Sequence, residues 1–427
     1  MNTLFARARD RLLPIVLSQF VGLLCGIGGV RLVSHWVPPA TLGSYGIFLT
    51  FTTLGLWVVH AGLIKFIVRH WAETIDKNAL LRAALCSWAR KLIWLAIAAG
   101  IAAAAIDHLG GVNGFVIATP LFISAALLSL GVLAQNTVQA ARRYWTDFTI
   151  SVTGSITRTF LPPILFLTCG HALGLYLGFG IHACCLAAVA LWTLRTHLRP
   201  TPAITNALAV TPIYDGAFFA TLSLIGWVLT GVNRWIVAGF LGETPAGLFT
   251  LAGNLAQIAP AMLGAVFMQY FQPGLFSAPH ATPSDRRALA GRVDRIAGVY
   301  TLLALAGIAG VHLLTPWLIG SLIDERYHGA LLYIAGAGCF SAAVIIGQFY
   351  HALLLAGRHE RACAPVDLTA AAILILGGIA AMKLGGEPAF LRWLLVSPLV
   401  PWLVSRPLAR RYFLGQTPNL ENPDTSS

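Results

Sequence analysis

The sequence predicts an all-α polytopic membrane protein, and three observations predict it. Hydrophobic residues fill 57% of the 427 positions and charged residues only 10%, whereas soluble domains carry about 25% charged residues. Mean hydropathy is +0.76. The third observation is an internal echo: Gly28 to Gly46 is answered in the second half by Gly231 to Phe249. Each copy runs an apolar segment past an arginine, breaks at proline and restarts with small residues and an aromatic ring. With Gly43 set against Gly247, Gly22 falls against Gly226, Val33 against Val237 and Tyr45 against Phe249, and Arg31 lies one place from Arg234. A repeat of this length, apolar on both sides, predicts a duplicated membrane bundle.

A helix needs about 20 apolar residues to cross a hydrocarbon core of about 30 Å, and about twelve stretches qualify. They are 12–33, 44–67, 85–106, 115–137, 148–169, 171–193, 213–240, 246–269, 295–316, 329–356, 364–384 and 388–406. The first follows Arg7, Arg9 and Arg11 as a secretory leader would, but it is too long for a leader core and has no small-residue cleavage site, so it is read as a retained span. The fifth and sixth nearly touch through Cys169-Gly170-His171.

Basic residues test the count. With a cytoplasmic N-terminus, the inner segments collect Arg7, Arg9 and Arg11, then Lys65, Arg69, Lys77, Arg82, Arg90 and Lys91, then Arg142 and Arg143, then Arg195 and Arg199. Arg286, Arg287, Arg292 and Arg295, then Arg358 and Arg361, then Arg406, Arg410 and Arg411 continue the pattern. The outer side keeps Arg31, Arg326, Lys383 and Arg392. This asymmetry satisfies the positive-inside rule, and an even span number puts both termini in the cytoplasm. The linker around Arg199-Pro-Thr-Pro202 divides an N-terminal six-helix lobe, 1–200, from a C-terminal six-helix lobe, 201–415, followed by a polar tail, 416–427, predicted to be disordered. Six spans per half make the copies parallel repeats, with a substrate site expected between them near the midplane.

Several function classes are excluded. The seven cysteines have no metal-ligand spacing, and nearly all lie in apolar runs. Neither a phosphate-binding Gly-rich lysine loop, nor His-Glu-x-x-His, nor paired carboxylates within a span is present. Predicted outer loops are short, leaving no room for an external catalytic domain. The chain is therefore not expected to be an enzyme or to hold a cofactor or metal. Its net charge of +12 follows from loop placement rather than from nucleic-acid binding.

What remains is the polar residues that interrupt the spans. A charge in hydrocarbon costs about 2.5–3.5 kcal/mol on insertion scales. Arg158 sits near the middle of the fifth span, about 16 Å from either end at 1.5 Å per residue, too deep for a guanidinium to reach water by snorkelling. It calls for a hydrated cavity or an anion. Arg234 and Arg31 lie nearer the outer ends of the seventh and first spans, where snorkelling competes with a binding role, but their near-equivalent places in the two copies predict convergence. Lys65, at the inner end of the second span, serves either as a topology anchor or as a substrate contact. Thr50 aligns with Asn254 and Thr53 with Gln257, so two equivalent helices carry polar groups at i and i+3. Those groups, like Gln135, Asn136 and Gln139, suit either interhelical bonding or a hydroxyl-rich substrate. His60, His182 and His351 are titratable but otherwise read as packing residues.

The motif Arg31-Leu-Val with Pro39, Leu42-Gly43 and Tyr45-Gly46, its echo Asn233-Arg234 through Gly239, Gly242 and Ala246-Gly247-Leu-Phe249 to Pro273, and the run Tyr327 to Gly357-Arg358 resemble a known family. It is that of the polysaccharide-exporting flippases, which carry O-antigen and other lipid-linked oligosaccharides, within the multidrug/oligosaccharidyl-lipid/polysaccharide (MOP) superfamily. The resemblance implies a MATE-like pair of six-helix lobes around a cationic cavity in the bacterial inner membrane. It implies a substrate of undecaprenyl diphosphate-linked oligosaccharide, moved by alternating access, with membrane lipid and other glycan-assembly proteins as partners. Asn233 departs from the acid that many relatives place beside the arginine. Two other classes compete. A cation-coupled exporter of drugs or small molecules would want a buried acid in the first lobe, and a membrane glycosyltransferase or polymerase would want a large outer loop and catalytic acids.

Overall fold

The computed structural model describes residues 2–60, 63–64, 67, 71, 76–109, 114–195, 217–276, 282–318, 321–357 and 359–415. Their regular structure is helical throughout: α1 (Asn2–Trp36), α2 (Pro39–His60), α3 (Lys77–Leu109), α4 (Gly114–Ala140), α5 (Tyr144–Cys169), α6 (Leu173–Leu194), α7 (Ala217–Leu241), α8 (Glu243–Ala256), α9 (Ile258–Phe276), α10 (Pro283–Leu318), α11 (Leu331–Ala356), α12 (Glu360–Val396) and α13 (Arg406–Gly415). A 3-10 turn, Glu325–Ala330, precedes α11. Among the described residues eight helices are long and apolar enough to cross a membrane, or nine if α8 and α9 count as one broken span.

Three junctions refine the predicted spans. The fifth and sixth are separate helices because Gly170 takes a left-handed conformation, φ 73°, and its N–H closes onto Phe166 O at 2.8 Å. The eighth span is not one rod, as 246–269 was expected to be; it breaks at Gln257 with a bend of 43°. Pro260, just beyond, has no N–H to offer Ala256 O, and its ring crowds that carbonyl. The eleventh and twelfth spans reverse at Gly386, φ 63°. The indole of Trp393 donates to Leu374 O at 3.1 Å, a contact that a straight helix would place about 28 Å away. The twelfth is itself irregular, turning at Ser397 and passing through a π-turn, Pro401–Ser405, where Pro398 and Pro401 interrupt the ladder.

The chain forms two compact units, Met1–Ile258 with Leu314–Tyr333, and Ala259–Leu313 with Ile334–Ser427. They do not follow the linker at 199–202, because α7 and α8, which come after it, pack on α2 in the first unit.

The packing of α2 on α8 turns the sequence repeat into a physical interface. A Cβ at Gly43 would strike the carbonyl oxygen of Glu243, and one at Gly247 would strike that of Pro39. Pro39 and Glu243 are themselves equivalent positions of the repeat, so the two contacts are reciprocal. One turn on, a Cβ at Gly46 would come within 2.6 Å of Thr250 Oγ1. Only glycine lets these two backbones approach so closely.

At the same end of the first unit, Arg326 clasps the C-terminus of α1. Its Nη2 donates to Ser34 O at 3.1 Å and His35 O at 2.7 Å, while its Nε donates to Asp324 Oδ1 at 2.9 Å. The Tyr327 hydroxyl donates to Val37 O at 2.8 Å. These bonds satisfy carbonyls that the helix end leaves open. Bonding by Arg326 holds the Asp324 carboxyl below its ordinary value of 3.8, so the Arg326–Asp324 ion pair is complete above that pH and is lost as pH falls through the lower folded-state value. Arg326→Ala is expected to lower the thermal midpoint of the purified chain by roughly 1–3 °C at neutral pH, since it leaves two helix-end carbonyls of α1 without their donor. A melting curve that does not move would show the clasp to be idle.

Candidate functional site

Two of the arginines singled out in the sequence, Arg158 and Arg234, lie in the first unit. Arg158 lies on α5, about 16 Å from its Cys169 end. It remains exposed, and its charge acts on Tyr45 of α2, His182 of α6 and Arg234 of α7. These groups on α2, α6 and α7 thus lie within electrostatic range of its charge. Arg234 is half-buried. Its neighbour Asn233 is 6% exposed, with an Oδ1 that has no hydrogen-bond partner. Among the described residues no carboxylate pairs with either arginine. Two like charges without a counter-ion repel in a medium of low dielectric constant, and an anion placed between them removes that cost.

An aromatic wall stands beside Arg158. Tyr45 packs on Phe48, Tyr176 and Phe179 with ring centroids 6.1–6.4 Å apart, and Phe48 meets Tyr176 at 4.6 Å. Phe179 leads on to His182 at 5.5 Å. The hydroxyl of Thr157, next to Arg158, donates to Thr153 O at 2.7 Å. Its one proton is thereby used, so His182 Nδ1 is the donor in their 2.8 Å bond. That fixes the ring alongside the arginine.

A family model described as "Polysaccharide biosynthesis protein" matches residues 31–331, which carry Arg158, Arg234 and both copies of the repeat. The chain belongs to this family of polysaccharide biosynthesis proteins. No curated protein sequence matches it. Among solved structures it is similar to an inward-facing multidrug resistance MATE family transporter of the MOP superfamily, with TM-score 0.64 and 14% identity over 92% of this chain and 95% of that one. An outward-facing one gives TM-score 0.62 and 14% identity over 94% of each. The Vibrio cholerae MATE transporter VcmN in its bent form gives 0.62 and 15% identity over 97% and 98%. At such identities the likeness establishes a MATE-like fold, in keeping with the predicted fold class.

The other expected site residues fare differently in this polysaccharide biosynthesis protein. Arg31 is exposed on α1, and among the described residues nothing joins it to Arg158 or Arg234. Lys65 lies outside the described residues. Asn254 and Gln257 are half-buried on α8 and at its break, with no side-chain hydrogen bond among the described residues, so their amides are available. Their counterparts in the first copy are committed elsewhere. Thr50 Oγ1 donates to Ile47 O at 2.6 Å and accepts from the Trp235 indole at 3.1 Å, while Thr50 O accepts from Trp227 at 2.5 Å. Thr53 donates to Leu49 O at 2.7 Å. Two of the α4 amides make interhelical bonds, Gln135 to Ser151 Oγ at 3.0 Å and Gln139 to both oxygens of buried Asp147 at 3.2 Å, while Asn136 donates to Val132 O of its own helix at 2.8 Å. His60 likewise donates to Ser129 O at 2.8 Å in the packed core.

Sequence reasoning missed the aromatic wall. Its signal was there, because Tyr176, Phe179 and His182 recur at every third position along α6, as do Tyr45 and Phe48 on α2.

Proposed function

We propose that this chain is a flippase that moves an undecaprenyl diphosphate-linked oligosaccharide, an O-antigen or exopolysaccharide repeat unit, across the bacterial inner membrane by alternating access. One observation carries the reading: Arg158 and Arg234, on α5 and α7, act on each other in an apolar bundle with no acid among the described residues to pair them. The diphosphate supplies the missing anion, with guanidinium forks matched to its oxygens. The free amides of Asn254 and Gln257 and the orphaned Asn233 Oδ1 suit sugar hydroxyls, which both donate and accept. Arg31 and Lys65 complete the proposed set of binding residues. The lobes 1–200 and 201–415 are the proposed moving parts, and no cofactor or bond-making step is needed. Membrane lipid surrounds the chain and glycan-assembly proteins supply and consume its substrate.

The second reading is a cation-coupled exporter of drugs or small molecules, which the MATE-like fold favours. It sits poorly with the site itself, because a cationic drug would be repelled by the two arginines. Farnesyl diphosphate, a short polyprenyl diphosphate, separates the two. The purified chain should bind it at least about tenfold more tightly than farnesol, and Arg234→Ala should remove most of that margin. Equal affinity for the alcohol, or preference for a lipophilic cation, would overturn the flippase reading.

A further inference from the structure

We propose that Arg406 and Arg410, in the second unit, form a binding site for the phosphate head group of an anionic membrane lipid. Arg406 opens α13 and Arg410 lies one turn on, so both side chains leave the same face of the helix. They converge on Asp294 of α10. Arg406 donates from Nε to Oδ1 and from Nη2 to Oδ2, each at 3.1 Å, and Arg410 donates from Nη1 to the same Oδ2 at 2.6 Å. The Tyr350 hydroxyl of α11 donates to Oδ1 at 3.2 Å. One carboxylate thus holds two guanidinium groups side by side.

The cluster carries one surplus positive charge. These four bonds occupy the acceptor positions of the carboxylate, and among the described residues no second acid pairs with either arginine. Arg406 Nη1 and Arg410 Nε and Nη2 have no protein partner there. Asp294 is 14% exposed, whereas the arginine side chains are 40% and 35% exposed, so the acid is the covered member and the cations are the open ones. Two cations that share one counter-charge repel, and a second anion relieves them. Phosphate oxygens match guanidinium forks in both charge and spacing. The far side of Arg406 is backed by the Trp402 ring, 5.5 Å away, and that indole is tied to Thr301 Oγ1 at 3.2 Å. The pair is therefore set before a ligand arrives, which lowers the ordering cost of binding.

The surface around the pair fits a lipid better than a free anion. Trp402, Arg406 and Arg410 follow one another at four-residue spacing, and all three are half-buried. The row beside them, Leu399, Leu403, Pro407 and Arg411, is exposed. Leu399 and Leu403 are 55% and 71% open, so an apolar strip runs along the chain up to the cations. An acyl chain on that strip would bring its own phosphate to Arg406 and Arg410. The other end of α13 is anchored, because Phe413 lies against Gly357 and His359 at the turn between α11 and α12. The basic residues assign that turn and α13 to the cytoplasmic side, where the leaflet is anionic. The site stands independently of the flippase reading.

The test is a titration of the purified full chain in detergent with palmitoyl-oleoyl phosphatidylglycerol, the bound lipid being counted by native mass spectrometry. Phosphatidylcholine of the same chains is the reference, since its choline cancels the phosphate charge. Phosphatidylglycerol should bind about tenfold more tightly or better. Arg410→Gln leaves Arg406 on Asp294 and should remove most of that preference, while Arg410→Lys, which keeps the charge without the fork, should retain part of it. Arg411→Gln removes the same charge one residue away and should change the affinity by less than about twofold. Equal binding of the two lipids by wild type overturns the site. So does a preference that survives Arg410→Gln, or one that falls equally in Arg411→Gln, which is diffuse attraction to a basic surface. Farnesyl diphosphate at equal concentration should not displace the lipid, and displacement that is lost in Arg410→Gln would give the site to a polyprenyl diphosphate instead. Melting curves establish that each variant folds; where Arg410→Gln does not, a wild-type preference in Arg410→Lys overturns the site.

Discussion

On the flippase reading, Arg158→Ala should cut glycan export severely while leaving the protein at full abundance in the membrane. The loss in export should be about tenfold or more, since a charge-assisted bond to phosphate is worth about 1.5–3 kcal/mol and each 1.4 kcal/mol is a factor of ten. Abundance is preserved for a physical reason. The guanidinium has no acid partner among the described residues and is repelled by Arg234, so its removal relieves strain, and the melting temperature should stay level or rise. Arg158→Lys keeps the charge but not the planar fork, and should fall between the two. Surface glycan staining with immunoblotting of the membrane fraction reads both quantities. Normal export by the alanine variant would sink the binding role, and loss of the protein from the membrane would make Arg158 a folding residue instead.

Gly247→Ala should keep the chain from reaching its folded state. The added methyl meets the carbonyl oxygen of Pro39, which is backbone and cannot rotate away, so α2 and α8 must move apart along their whole contact. Overpacking in a core costs about 1–3 kcal/mol when side chains can yield, and here the cost should reach the top of that range or exceed it. Gly43→Ala, facing Glu243 O, should behave alike. Gly239→Ala on α7 is the control, because nothing lies within 4 Å of its added methyl, and removing a glycine from a helix is neutral or favourable there. Size-exclusion profiles and melting curves of the three variants decide the matter. A Gly247→Ala protein as stable as wild type would refute the close approach.

Much of this was legible in the chain. The helices follow from long apolar runs, and the repeat located the α2–α8 interface because sequence equivalence is retained where two backbones must touch. Arg158 and Arg234 stood out because a charge in an apolar run has few innocent explanations. The misses have equally physical causes. Whether Thr50 or Asn254 is free depends on which indole lies across the helix, as with Trp227 and Trp235 over Thr50, and periodicity carries no such information. The break at Gln257 was hidden because Pro260 sits where an apolar run continues through it. Asp294 and Arg410 lie 116 positions apart, so their meeting at 2.6 Å is a product of tertiary packing alone.

The reciprocal seam between Gly43 and Gly247 has a consequence for genetics. Most damaging substitutions in a packed core can be rescued by trimming the residue opposite. Here the opposing surface is peptide backbone and the partner position is already glycine, so nothing is left to trim. A selection for revertants of Gly43→Ala should return the original codon or changes elsewhere that strengthen the fold as a whole, and none inside the seam. At these two positions the backbone of each copy requires glycine in the other.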